Sequence, residues 1–359
     1  MHKLLHPVAI TFYVVVFIIS LPYILPSKRT KVYTDAALRH AALSRDMLPV
    51  PKTYEALLKV VDRKENPMSR EKIALGKKLF FNTLLSQDKT ISCASCHNLE
   101  EGGDDNLPTA IGYLGQANPF HLNSPTVLNA ALAKSQFWNG RAKDVEEQAG
   151  GPVQAPFEMH MTPQEVELRL KDVPAYVSSF QDVFGSQITF ANVRKAIGAY
   201  ERTLLTRGNY DRFLEGDNDA ISPAAKRGLA LFISKGCKGC HTGMSVGGQS
   251  IQKFPLRSYL SEYIGLLFSS DVKIKESPFP FENKGGFLGR NDNLRFRVPI
   301  LRNITKTAPY FHNGAVEKIE EAVRIMSKYQ LGDEFTPDQI DDVVAFLKTL
   351  EGKLFSYER

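Results

Sequence analysis

The chain has 359 residues, enough for one large or two ordinary domains. With 43% hydrophobic and 23% charged residues and no low-complexity tract, it is neither disordered nor fibrous. The net charge of +6 sits mostly in residues 1–40, which hold five basic side chains and one acidic, so the charge gives no sign of a nucleic-acid partner.

In chain order, residues 7–27 come first: they carry no charge and are mostly apolar, long enough to cross a bilayer. Residues 1–30 are read as a signal peptide or an N-terminal membrane anchor and are set apart from the fold. Lys28, Arg29 and Lys31 follow this segment and only Lys3 precedes it. That bias alone would keep the remainder in the cytoplasm. The cysteine motifs read below outweigh it.

The rest reads as mainly helical. "ALGKKLFF" at 74–81 precedes the first cysteine pair, and "KRGLALFI" at 226–233 precedes the second. Aligning Gly76 with Gly228 brings Leu79 onto Leu231 and Phe80 onto Phe232, which suggests two related domains joined near 205–222. "TPQEVELRLK" carries a helix start at Thr162, Pro163 and Glu165. "ANVRKAIGAYERTLL" places Val193, Ile197, Tyr200 and Leu204 on one face. "TPDQIDDVVAFLKTLEG" has Thr336 as N-cap, Pro337 at the first position, Gln339 closing the capping box and Gly352 as the expected stop. Its apolar stripe is Ile340, Val343, Val344, Leu347 and Leu350.

All four cysteines fall in two Cys-x-x-Cys-His patterns, Cys93/Cys96/His97 and Cys237/Cys240/His241. In this pattern two thiols attach a haem covalently and the adjacent histidine becomes its iron ligand. A zinc site would need the two pairs together, yet 144 residues separate His97 from His241; a redox dithiol would not need the histidines. Two haem c groups are therefore expected. An electron-carrying haem needs a sixth ligand, often methionine, and Met159, Met161, Met244 and Met326 are the candidates that spacing leaves open.

The segments "ISCASCHNL", "NSPTVLNAAL", "FWNGRAKDVEEQAGGPVQAPFEM", "AYERTLLTRGNYDRFLEGD", "GCKGCHTG" and "VPILRNITKTAPYFHNGAVEKIEEAVRIM" occur in that order. In them the chain resembles the bacterial di-haem cytochrome c peroxidases, a family that includes the MauG-type protein-oxidising enzymes. The resemblance covers about residues 65–355. It implies two cytochrome c-like haem domains packed together, with long loops and little sheet: a peroxidatic domain at 50–205 and an electron-transfer domain at 206–359.

The resemblance also implies roles. The haem on Cys237, Cys240 and His241 would receive electrons and take Met326, 14 residues after His312, as its second ligand. Methionine rather than tyrosine there favours a peroxidase over the MauG type. Trp138, the single tryptophan, would relay electrons between the haems; without that context it reads as a core residue. Gln148 and Glu158 would form the peroxide pocket at the haem on His97, shaped by Pro152. Glu158 would move a proton between the two peroxide oxygens.

A calcium ion is implied at Asn123 and the carbonyls of Thr307 and Pro309, unless Asn123 only caps a helix in "SPTVLNAAL". His312 would lie behind these ligands rather than on an iron. Relatives carry a histidine 16 residues after the proximal histidine that closes the peroxidatic iron; here that position is Tyr113. The loop is also longer and contains His121. Either the iron is open, the favoured expectation, or Tyr113 ligates it or lines the pocket, or His121 substitutes. The implied partners are hydrogen peroxide, a small periplasmic cytochrome c or cupredoxin and a second copy of the chain in a homodimer, for a periplasmic protein that residues 1–30 can anchor to the inner membrane. The rival readings are a MauG-like oxidase of a protein substrate and a non-enzymatic di-haem electron carrier.

Overall fold

A computed structural model describes residues 33–44, 46–256 and 278–355, and the targeting segment expected at 1–30 lies outside them. Among the described residues no helix is long and apolar enough to cross a membrane.

The described chain is mainly α. Its first half runs α1 (Asp35–Leu43), α2 (Tyr54–Val61), α3 (Arg70–Phe80), α4 (Cys93–Cys96), α5 (Val145–Gln154), α6 (Pro163–Lys171), α7 (Pro174–Phe184) and α8 (Phe190–Glu201). The second half holds α9 (Asn209–Leu214), α10 (Pro223–Ser234), α11 (Ile319–Ile325) and α12 (Pro337–Thr349). Sheet is confined to three-residue strands: β1 (Thr206–Gly208) pairs antiparallel with β4 (Gly352–Leu354), and β2 (Ile251–Lys253) with β3 (Arg295–Arg297).

The start signals work as expected. Thr162 and Thr336 each accept from the third helical residue, and Glu165 and Gln339 return the bond. The helix end differs: α12 stops at Thr349, and Gly352 opens β4 opposite Gly208. "SPTVLNAAL" is also not a helix; only Ala130–Leu132 form a 3-10 turn. Asn123 therefore caps nothing there.

Two cores lie on either side of residue 205. One gathers Leu79, Phe80, Val166, Phe180, Val193 and Leu204. The other gathers Phe213, Leu229, Phe232, Phe346 and Leu350, and it also takes Leu38 and Ala42 from α1. The repeat has a physical basis in this arrangement. A Cβ on Gly76 would collide with the Ala196 carbonyl of α8, and one on Gly228 with the Asp342 carbonyl of α12. The aligned glycines thus occupy equivalent helix crossings, where only a missing side chain allows the backbones so close. A third, aromatic cluster of Phe279, Phe281, Phe296 and Tyr310 reaches Trp138.

The second core rests on a buried ion pair. Arg302 donates to both oxygens of Asp211 at 2.8 and 2.9 Å, with both side chains fully buried. The Val50 and Gly208 amides also donate to Asp211. Burial alone would raise the Asp211 pKa, but Arg302 and these hydrogen bonds outweigh it and the net shift is downward. Asp211→Asn should strand the guanidinium and cost about 3–5 kcal/mol, read as a lower Tm near neutral pH. Because the folded pKa is depressed, this stabilisation is full above the unfolded value of about 3.9 and fades as pH falls through the folded one. The Tm gap between parent and variant should narrow in acid. A constant gap would contradict the assignment.

Candidate active site

The first cysteine pair sits on one turn of helix. Cys93 and Cys96, three apart in α4, fall on the same face, and Ser92 and Ser95 close a capping box around it. His97 follows, and its Nδ1 lies 3.0 Å from the Gly103 carbonyl. This bond holds the proton on Nδ1 and leaves Nε2 free to bind a metal. Burial lowers the His97 pKa, with the Gly103 carbonyl opposing, so the ring is neutral at pH 7.

These residues line a cavity of about 420 Å³. On its walls stand Gln148, Pro152, Phe137, Trp138 and Glu158. Gln148 and Pro152 come from α5, and Glu158 from the turn that follows, where its N–H donates to the Ala155 carbonyl. Burial raises the Glu158 pKa, and the charge of Arg141, which lines the same cavity, opposes the rise. A carboxyl so placed holds its proton more readily than an exposed glutamate does.

Tyr113 and His121 do not line this cavity. The Tyr113 amide donates to the Glu158 carbonyl at 2.7 Å, and its ring stacks on His160 at 4.7 Å. A Cβ on Gly112 would strike the Phe157 carbonyl and the Glu158 Cα, so the loop packs directly against the Glu158 turn. His121 is half-buried in a left-handed turn at φ 48°. Among the described residues of the wall, His97 is the one histidine and no tyrosine is present. The loop itself reaches the cavity through Ile111, Gly112 and Phe120, while the Tyr113 ring stacks on His160, which favours the open-iron expectation over ligation by Tyr113 or His121.

The second motif lines a separate cavity of about 220 Å³ with Cys237, Cys240, His241 and Met326. Burial lowers the His241 pKa to about 4, with the Val246 and Pro299 carbonyls opposing. Met326 begins a π-helical run to Leu331, directly after α11. Such a widened turn re-aims side chains and is frequent at functional sites. The other methionines part company: Met161 is core, Met244 packs near Val50 and Leu57, and Met159 is buried in the wall of the first cavity.

Trp138 lines both cavities, and its Nε1 donates to the Asn123 carbonyl at 2.9 Å. The Asn123 side-chain nitrogen donates to the Leu107 carbonyl, and its side-chain oxygen accepts no hydrogen bond among the described residues. Asn123, Thr307 and Pro309 line one wall of the second cavity. His312 is buried beside them, its Nε2 3.0 Å from the Asn283 side-chain oxygen.

Both cavities fit covalent haem on chemical grounds. Each brings the two thiols of one motif and a neutral buried imidazole to one cavity, the set that attaches and ligates a haem c. Glu201 and Arg297, not singled out from the sequence, also line the first cavity. Glu201 had a signal: it is a charge set four residues after Ile197, on the apolar stripe of α8. Burial raises its pKa to about 8.

Comparison with known proteins agrees with this geometry. Residues 70–219 match the family described as di-haem cytochrome c peroxidase, and residues 225–351 match cytochrome c. The chain is 41% identical to the cytochrome c551 peroxidase of Pseudomonas aeruginosa over 321 residues, covering 88% of this chain and 86% of that one. It is 33% identical to the methylamine utilization protein MauG of Methylorubrum extorquens, covering 87% of each. Among solved structures it resembles a MauG-like protein associated with microbial copper homeostasis, at 26% identity and a TM-score of 0.66, covering 82% of this chain and 95% of that one.

Proposed function

The chain belongs to the di-haem cytochrome c peroxidase family, and we propose that it reduces hydrogen peroxide to water in the periplasm with electrons from a small cytochrome c or cupredoxin. The observation that carries this reading is the Glu158 carboxyl, which lines one cavity with Gln148, Cys93, Cys96 and His97.

When bound, the haems supply the iron chemistry: electron entry at His241 and Met326, and peroxide reduction at His97. The chain's own residues do the rest. Glu158 takes a proton from the near oxygen of peroxide and returns it to the far one, so that the leaving group departs as water. Gln148 orients the peroxide, and Pro152 and Phe137 limit the space around it. Two electrons and two protons turn one peroxide into two waters. Trp138, between the cavities, carries the electrons across. The division at 205/206 separates the electron-transfer unit from the peroxidatic one.

A calcium ion at Asn123, Thr307 and Pro309 would brace this interface. The Thr307 and Pro309 carbonyls and the Asn123 side-chain oxygen accept no hydrogen bond among the described residues, which leaves oxygen donors of the kind calcium takes.

Met326 in one cavity with His241 supports a peroxidase over a MauG-like oxidase, since a thioether ligand raises the potential of the entry haem. The assay is steady-state peroxide consumption with a reduced small cytochrome c. Stoichiometric donor oxidation, two electrons per peroxide, is expected. Absence of turnover, with both haems low-spin, would leave the electron-carrier reading instead.

A further inference from the structure

Arg297 is the residue that the reading above leaves unexplained. It ends β3, and it is one of the residues lining both haem cavities, together with Trp138 and Asn123. Its amide donates to the Trp138 carbonyl at 2.7 Å and its Nε to the Phe137 carbonyl at 3.2 Å. The side chain is therefore held against the relay residue at the partition between the cavities. Only 4% of Arg297 is exposed, and Nη1 is buried with no hydrogen-bond partner.

Among the described residues no carboxylate answers this charge. Among the described residues Arg297 makes no ion pair, although Arg202 and Arg302, equally buried, each have one. Burial lowers the Arg297 pKa to about 10, so the group is still a cation at neutral pH. A buried cation without an anion is costly, and folded proteins almost always pair it. The two motifs supply a source of anions at this place, since each attached haem carries two carboxylate side chains and Arg297 lines both cavities. A guanidinium offers a planar set of donors suited to two such groups, which a lysine does not.

We propose that Arg297 is a carboxylate clamp shared by the two haems, with its terminal nitrogens binding one haem carboxylate on each side of the partition. The clamp fixes the haem edges on either side of Trp138. It also places a positive charge near both irons, which disfavours their oxidised forms and raises both potentials.

The test is a spectroelectrochemical titration of both haems in the full holoprotein, for the parent, Arg297→Gln and Arg297→Lys. The clamp predicts that Arg297→Gln shifts both midpoint potentials to more negative values. Arg297→Lys, which keeps the charge, should recover most of that shift. Unchanged potentials in Arg297→Gln, with both haems present and an unchanged Tm, would overturn the proposal. A shift confined to one haem would overturn the sharing. If Arg297→Gln fails to take up haem, redox-difference infrared spectra of the parent decide. Haem carboxylates that stay ionised in mildly acidic buffer support the clamp, and carboxylates that protonate there overturn it.

Discussion

Replacing Glu158 by Gln is expected to lower peroxide turnover by about 10²–10⁴-fold, the usual worth of a positioned acid–base group, while both haem spectra stay as in the parent. The two side chains have nearly the same shape, and the Glu158 side chain makes no ion pair or hydrogen bond that an amide would break among the described residues. The turn that carries it is held by backbone bonds, from the Glu158 amide to Ala155 and from Tyr113 to the Glu158 carbonyl. What is lost is the ability to accept a proton and return it. The pH profile adds a second check. Burial raises the Glu158 pKa, with Arg141 opposing. The carboxylate form that accepts the proton is therefore depleted at a higher pH than for an exposed Glu, and the acid limb of turnover should lie above the usual carboxylate range. Arg141→Gln removes the opposing charge and should move that limb to still higher pH. Parent-like rates in Glu158→Gln would remove this residue from the chemistry.

Met326→Ala is expected to act at the other haem. Loss of a thioether ligand should lower the potential of the haem on His241 by roughly a tenth of a volt or more, within the span of about 0.8 V that axial ligation commands. Electron entry from a high-potential donor should then stall. The haem on His97 should keep its spectrum, because Met326 lines the second cavity and not the first. The measurement is a redox titration followed in the visible spectrum. An unchanged potential would mean that the sixth ligand is another residue, and Met326 would then be only a lining side chain.

Much of this fold was legible because its signals are local. The caps at Thr162 and Thr336 and the stripe of Val193, Ile197, Tyr200 and Leu204 depend on neighbours within a few residues. The Gly76–Gly228 alignment was also readable, since both crossings exclude a Cβ for the same steric reason. What was missed depends on tertiary partners. Nothing in "DAALRHAAL" says that Leu38 and Ala42 pack into the core of the distant second half. Gly352 looks like a helix stop until its pairing with Gly208 is seen.

The site divides in the same way. The cysteine pairs are chemical motifs and could be read directly. Gln148, Glu158 and Met326 were expected only through a resemblance, because polar or sulfur side chains at those spacings have ordinary explanations. Arg297 gave no sign of burial, since a charged residue in a short strand is usually solvated. The position of the Tyr113 loop could not be read at all, because it follows from contacts between Gly112 and the Phe157–Glu158 backbone.

The central claim is that nothing in that loop closes the peroxide face of the iron at His97. Tyr113 is turned toward His160, and neither it nor His121 lines the cavity. Low-temperature EPR of the as-isolated diferric protein tests this most directly. The account predicts a high-spin ferric signal for one haem, a low-spin signal for the other, and peroxide turnover without prior reduction. Two low-spin signals, with activity appearing only after half-reduction, would contradict it.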